Sequence, residues 1–280
     1  MIEQFLSRPE IQSAAVPFVV AFVAYFGLRK ITARAWIWAL LAAFLAAAGL
    51  INGLTVTPLT GTRKIILLVI ASFFVAALLP WVLAGQNLQR RISTIISQLA
   101  LLWVFWAVVS RMQSASMVLF LVGSIALVLV LEDLFDRVAD NPAKLHSAGL
   151  SLLLGVGLSA TAAASALLGQ LALALAAGSG GAFLAWVFTG NLTVNQAKQS
   201  ITTLPYVMAP ALLGVAAVIF ARLPWYALIP LASIPLVVNL VPLKTDSRFV
   251  HALLASLPGL VIAVAVAFYI WQTGSSGSGY

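Results

Sequence analysis

The stretch Ser147–Asn191 reads SAGLSLLLGVGLSATAAASALLGQLALALAAGSGGAFLAWVFTGN and carries no charged residue. Most of its positions are Ala, Gly, Ser, Thr or Leu. Small residues let helix backbones approach closely, and dispersion forces then hold the helices together inside a bilayer. We therefore expect this stretch to lie at the centre of a membrane-embedded helical bundle. The residues predicted to pack helix against helix are Gly155, Gly157, Ser159, Thr161 and Ala163.

The composition of the whole chain predicts the same class. Of its 280 residues, 62% are hydrophobic and 8% are charged, whereas a soluble domain carries about 25% charged residues. The mean hydropathy is +1.09. Continuous apolar runs recur along the chain, which is typical of membrane-spanning helices and not of the alternating strands of a membrane barrel. We expect an all-α polytopic bundle without a soluble domain.

Ten spans are predicted, within a single transmembrane domain of residues 1–272 that a Gly/Ser-rich tail, 273–280, follows. Residues 14–131 hold the first five spans, 132–146 an acidic loop, and 148–271 the last five. The predicted spans are 14–28, 36–54, 65–83, 95–109, 117–131, 148–168, 171–189, 204–221, 225–241 and 249–271.

The sixth and seventh spans have an alternative. Only Gly169 and Gln170 offer a turn between them. One long helix broken by a hinge at Gly178, Gly180 and Gly181, followed by a re-entrant half-helix, would give nine spans. Forty-odd helical residues would be roughly 65 Å long, about twice the thickness of the hydrocarbon core. Two crossings are therefore favoured.

The distribution of Lys and Arg predicts the orientation, because cytoplasmic loops carry more of both. With the N-terminus outside, the inner loops hold ten of the 15 basic residues and the outer side holds five. We expect both termini outside, in a multi-pass protein of the bacterial inner membrane. The basic residues serve topology, so a nucleic-acid partner is not expected. Tryptophans near span ends, such as Trp36, are expected at the lipid interface.

The segment 131–142 holds four of the seven acidic residues. Its apolar residues recur at helical spacing, which predicts a short amphipathic helix on the membrane surface that ends before Pro142. Asp133, Asp136 and Asp140 can share the polar face of this helix. They form a candidate docking or cation-binding face, although a solvated acidic face is the more ordinary interpretation.

The spans themselves contain no predicted charge, since all seven acidic residues fall in predicted loops or tails. His146 and His251 are expected at span ends, hydrogen-bonded to loop backbone. Uncharged polar residues could line a path for a solute, although polar residues more commonly hold helices together. The candidates for such a path are Asn52, Gln98, Asn191, Asn195 and Asn239.

No catalytic motif is recognisable, and the chain has no cysteine. Motifs of serine hydrolases, zinc proteases and nucleotide-binding loops do not occur. We therefore expect a protein that is not an enzyme and that has no metal site and no cofactor. The first hypothesis is a structural subunit of a larger membrane complex, with lipid and other membrane subunits as partners. The second is a small permease for a neutral or apolar solute.

Overall fold

The structure is a computed structural model that describes residues 8–32, 34–53, 57–83, 85–189, 200–242 and 247–275. These residues form helices and contain no strand. A π-helical turn, Ile11–Ala15, leads into the first helix, and 3₁₀ turns occur at Ser200–Thr203 and Trp225–Ala227. The helices are α1 (Val16–Leu28), α2 (Ala35–Asn52), α3 (Gly61–Val82), α4 (Gln86–Val109), α5 (Ser114–Val138), α6 (Pro142–Ala162), α7 (Ala166–Thr189), α8 (Leu204–Phe220), α9 (Leu228–Ala232), α10 (Ile234–Leu240) and α11 (Arg248–Ser275).

Within the described residues, eight helices are long and apolar enough to cross a membrane. The two remaining predicted spans are shorter. Helix α8 has 17 residues, and Trp225–Leu240 is divided into a 3₁₀ turn, α9 and α10. Pro230 and Pro235 lie in this divided segment and remove backbone donors, which interrupts the helix. The all-helical, membrane-embedded class is confirmed, whereas ten complete crossings remain a prediction.

Helices α6 and α7 occupy the centre of the bundle, where the small-residue composition predicts them. They bury 72% and 67% of an 18-residue stretch, against 17–56% in the other six long helices. A Cβ atom at Gly157 would lie 2.8 Å from Leu173 Cγ of α7, and one at Gly155 would lie 3.2 Å from Ala263 Cβ of α11. Ser159 is fully buried. The structure thus places these small residues between helices, and their packing role awaits substitution.

The turn between α6 and α7 lies at Ala163–Ser165, six residues before the predicted Gly169-Gln170 turn. The chain reverses over Ala164, whose φ is 70°, and the Ser165 N–H donates to the Ala160 carbonyl at 2.9 Å. Bonds of this kind close helix C-termini over a left-handed residue. Ala163 therefore belongs to the turn, and Gly169 packs against the Thr161 side chain instead of forming one.

Helix α7 is continuous from Ala166 to Thr189, so the helix break considered at Gly178, Gly180 and Gly181 does not occur. The glycines serve packing. A Cβ atom at Gly178 would lie 3.0 Å from Ala43 Cβ of α2, and one at Gly181 would collide with the Phe18 backbone of α1. Two separate helices therefore occupy the stretch, and the re-entrant alternative falls.

The acidic segment is also corrected. It forms the last turns of α5 and is not a separate helix on the membrane surface. Its apolar face looks into the bundle, since Leu131, Phe135 and Val138 are buried where α5 packs on α6, α8 and α10. Helix α6 then begins at Pro142, and the Asn141 side chain caps it by accepting from the Ala143 N–H at 3.0 Å. The packed apolar stripe extends α5 past the predicted boundary at 131.

Contacts between helix ends define two ends of the bundle. At the first, called the basic end, Arg34 Nη1 donates to the Ala77 carbonyl at 2.7 Å, and Lys144 Nζ donates to the Asn239 carbonyl at 2.6 Å. Lys64 Nζ lies 3.4 Å from the Trp103 carbonyl at the opposite end. Each of these contacts joins the start of one helix to the end of another, as alternating helix directions require. The basic end is the end that the distribution of Lys and Arg predicts to be the inner side.

Candidate functional site

A carboxylate lies inside the bundle near its basic end. Glu132 of α5 is only 3% exposed. Its Oε2 atom is hydrogen-bonded to Thr94 Oγ1 of α4, and its Oε1 atom is buried without a partner. The prediction that all acidic residues lie in loops or tails is therefore wrong. Acidic groups buried at membrane depth are costly, and they commonly mark functional sites.

The neighbouring acids are paired on the outer surface of the same helix end. Arg90 of α4 contacts Asp133 through Nη2 at 3.4 Å and Asp136 through Nε at 3.5 Å. Arg137 contacts Asp133 as well. These ion pairs are half-exposed, so each contributes little to stability. They keep the Arg90 guanidinium beside Asp133 and Asp136 at the protein surface.

The predicted docking or cation face takes a different form in the structure. Asp133 and Asp136 are bound to Arg90, and Asp140 is exposed beyond the end of α5. Among the described residues, no three His, Cys, Asp or Glu side chains form a group that could hold a metal ion. Arg90 pairs with two of the three carboxylates and neutralises the negative charge that would otherwise attract a cation.

A stripe of buried polar residues runs along α4 beside Glu132. Gln89, Ser93 and Ser97 recur every four residues and are 3%, 2% and 1% exposed. Gln89 Nε2 donates to the Leu83 carbonyl at 2.9 Å, while Gln89 Oε1, Ser97 Oγ and Gln98 Nε2 are buried without partners. The spacing places this stripe on one helix face, turned toward the protein and away from lipid.

The 3₁₀ turn Ser200–Thr203 completes this polar region. It packs against α3, α4 and α5, and its Thr202 and Thr203 are each 2% exposed. Non-helical backbone at membrane depth is tolerated where protein or a polar cavity surrounds it. We name Glu132, the polar residues of the neighbouring stretch of α4 and the two threonines of the 3₁₀ turn the carboxyl cluster; its members are Gln89, Ser93, Thr94, Ser97, Gln98, Glu132, Thr202 and Thr203.

A second polar group joins α6, α7 and α8. The Tyr206 hydroxyl lies 3.0 Å from His146 Nδ1 and 2.7 Å from Ser179 Oγ. All three side chains are buried, and His146 Nε2 has no partner. We name these three residues the imidazole cluster. The expectation that His146 bonds loop backbone is wrong, because His146 lies one turn inside α6 and points to the bundle centre.

Aromatic rings hold the imidazole cluster in place. Tyr206 stacks between Trp36 of α2, with ring centroids 5.5 Å apart, and Phe135 of α5, 5.8 Å apart. Trp36 also meets His146 edge-on at 5.2 Å. Trp36 was expected at the lipid interface, but it is 5% exposed. Trp36 lies at the start of α2, on a face that packs against other helices. Hydropathy alone does not show which face of a helix is buried.

The two clusters are neighbours through both α5 and the start of α8. Glu132 and Phe135 are three residues apart on α5, hence on one face, and Phe135 stacks on Tyr206. Thr203 directly precedes α8, and Tyr206 lies in its first turn. Five helices and the 3₁₀ turn thus converge on one polar interior near the basic end.

Of the predicted solute-path residues, the structure brings only Gln98 to this interior. Gln98 lies one turn along α4 from Thr94, with its amide nitrogen buried. Asn52 ends α2 at the opposite end of the bundle. Asn239 contributes its backbone carbonyl to Lys144. Asn191 and Asn195 lie outside the described residues.

Sequence reasoning missed Glu132, His146 and Tyr206. One signal was available in the spacing of Glu132 and Phe135, which sets a carboxylate on the apolar face of the acidic segment. The sequence predicts that this apolar face contacts lipid, and an acidic residue is not expected on a face that contacts lipid. The chain matches no protein-family model and no curated protein.

Proposed function

We propose that this protein is a membrane permease for a small neutral solute that forms hydrogen bonds. One observation carries the proposal: four polar atoms in the carboxyl cluster are buried without partners, on two adjacent membrane helices. They are Gln89 Oε1, Ser97 Oγ, Gln98 Nε2 and Glu132 Oε1.

Unpartnered polar atoms are expensive in a membrane protein, because lipid offers no hydrogen bonds. The mixture of donors and acceptors suits an uncharged solute with hydroxyl or amide groups. Charged solutes are disfavoured, since Arg90 is engaged with Asp133 and Asp136.

The shape of the neighbouring helices supports the same function. Transporter sites often lie beside short or interrupted membrane helices. Helix α8 has only 17 residues and contains Pro205 and Pro210, and the following segment is interrupted near Pro230 and Pro235. The 3₁₀ turn that contributes Thr203 leads directly into α8. The polar interior thus lies where the helices are least regular.

Solute flux tests the proposal through two buried serines. Ser97 Oγ has no partner, whereas Ser72 Oγ of α3 donates to its own helix at the Val69 carbonyl, 2.6 Å away. We expect Ser97→Val to slow glycerol entry into vesicles about tenfold, the effect of roughly 1.4 kcal/mol on a barrier. The matched Ser72→Val change should leave entry near the parental rate. Light scattering after a glycerol jump measures both.

A second candidate is a structural subunit of a larger complex, and the exposure of α5 favours it. This helix buries only 17% of its 18-residue stretch, the least of the eight, and Leu119 and Val122 face outward. That apolar face suits either lipid or another subunit. Flux that neither serine variant alters, together with one discrete large complex on a native gel, would replace the permease with this subunit.

We further propose a bacterial inner membrane location with both termini outside. Cysteine labelling tests the orientation, since the chain has no cysteine of its own. A cysteine at the exposed Ser114, at the end opposite the basic end, should react with an impermeant maleimide in intact cells. One at the exposed Asp140, at the basic end, should react only after the cells are opened. The reverse pattern would invert the topology.

A further inference from the structure

We propose that Glu132 carries a proton in this structure and is the residue through which the permease exchanges protons during transport. The ligand of this site is the proton itself. Coupling to solute movement rests on the proposed permease function, whereas proton binding by Glu132 does not.

The two hydrogen bonds of Thr94 supply the geometric reason to place a proton on Glu132. Thr94 Oγ1 is 3.0 Å from the Arg90 carbonyl and is also hydrogen-bonded to Glu132 Oε2. A carbonyl only accepts, and a threonine hydroxyl has one hydrogen. If that hydrogen goes to the Arg90 carbonyl, the bond to Glu132 needs a hydrogen from the glutamic acid. A protonated Glu132 satisfies both bonds, whereas an ionised one leaves two acceptors competing for one hydrogen.

The surroundings of Glu132 favour the same state. It is 3% exposed, and ionising a carboxyl there requires a close cation or several donors. The nearest guanidinium, that of Arg90, contacts Asp133 and Asp136 at 3.4 and 3.5 Å. Asp136 adds a negative charge that opposes ionisation. Burial, which is the largest of these influences, favours neutral Glu132, whereas the hydroxyls of Thr94 and Ser93 and the charge of Arg90 favour the anion.

Among the other titratable side chains near this end of the bundle, Arg91 and Asp140 are exposed, and those named next have partners of their own. Arg137 pairs with Asp133, and Lys144 donates to the Asn239 carbonyl. Tyr206 and His146 bond each other, and the Tyr206 ring stacks on Phe135. Helices α9 and α10 bring no charged side chain to this region.

Loss of the proton would change the contacts around Glu132. The carboxylic acid O–H bond breaks, the electron pair stays on the carboxylate, and the proton passes to water at the basic end. The anion then attracts Arg90, whose Nη2 and Nε atoms contact Asp133 and Asp136. Proton release at Glu132 therefore changes the charge balance of the ion pairs between α4 and α5, the helices that carry the carboxyl cluster.

Infrared spectroscopy of the full chain in lipid vesicles tests proton binding without any solute. A protonated carboxylic acid has a carbonyl band, distinct from carboxylate bands, that shifts in D₂O. We expect this band at neutral pH in the parent protein and in Asp136→Asn, and its loss in Glu132→Gln. Gln retains the volume of Glu and can donate to Thr94 Oγ1, so the fold should persist. An absent parental band, or a band unchanged in Glu132→Gln, would overturn the proposal.

A second variant guards against misfolding of Glu132→Gln. Thr94→Val removes the acceptor of the proposed acid hydrogen bond, so the band should move to higher frequency while remaining present. A band that stays in place would show that the acid does not bond Thr94, which contradicts the argument.

A pH-sensitive dye inside the same vesicles then tests coupling. A glycerol gradient should acidify or alkalise the lumen with the parent protein and not with Glu132→Gln. Glycerol flux without the infrared band would remove the proton site and leave the permease standing. The band without any variant-sensitive flux would leave the proton site standing and remove the permease.

Discussion

Replacing Gly181 by alanine is expected to lower the melting temperature in detergent by several degrees. A Cβ atom at this position would collide with the Phe18 carbonyl of α1 and would lie 3.1 Å from the carbonyl carbon. Backbone atoms cannot rotate away as a side chain does, so α1 and α7 must move apart. Overpacking of this kind typically costs about 1–3 kcal/mol. Unfolding of the purified protein, followed by scanning fluorimetry, measures the change.

Gly180→Ala is the matched control, one residue along the same helix. A Cβ there would lie 3.6 Å from Leu150 Cδ1 and 3.9 Å from the Phe18 ring, which are ordinary contact distances. Alanine also favours helix by about 1 kcal/mol over glycine. The control should melt at or above the parental temperature. Equal melting of both variants would mean that α1 does not pack on α7 as described.

Replacing Tyr206 by phenylalanine is expected to destabilise the protein by about 2–4 kcal/mol. The change keeps the ring between Trp36 and Phe135 but removes the hydroxyl that joins His146 to Ser179. Two buried polar atoms then lose their partners, and each such loss costs about 1–3 kcal/mol. The measurement is the midpoint of denaturant unfolding in a fixed detergent.

A double-mutant cycle provides the control for this effect. Ser179→Ala removes the other side of the 2.7 Å bond, so the Tyr206→Phe and Ser179→Ala double variant should cost less than the two single changes added together. His146 stays unpaired in both backgrounds containing Tyr206→Phe. Strictly additive costs would show that the hydroxyl of Tyr206 does not bond Ser179.

The sequence predicts well those features that depend on local composition. Apolar runs such as 65–83 are long enough to span the hydrocarbon core, and the structure has a helix at each predicted span. Small residues at 147–191 predict a central position, because close approach requires them. The alternation of basic and apolar segments likewise predicts which helix ends gather the cations.

Single residues with two possible roles were harder to interpret. Gly169 was assigned to a turn, but it packs against Thr161, and Ala164 takes the left-handed conformation instead. Gly181 was assigned to a hinge, but it admits the Phe18 backbone. Glycine serves turns, hinges and close contacts equally well, and only the neighbouring helix shows which role applies.

By itself, the sequence determined that the chain is a helical membrane protein with a tightly packed centre and a basic end, because length, hydropathy and charge act locally. Only the tertiary structure decided what that centre contains. Glu132 is buried because α5 extends beyond its apolar run and packs on α4, and His146 meets Tyr206 across 60 residues of chain. Hydropathy reports how apolar a helix is. The rotation of each helix, which decides whether a polar residue meets water or another helix, is set by packing between segments distant in sequence.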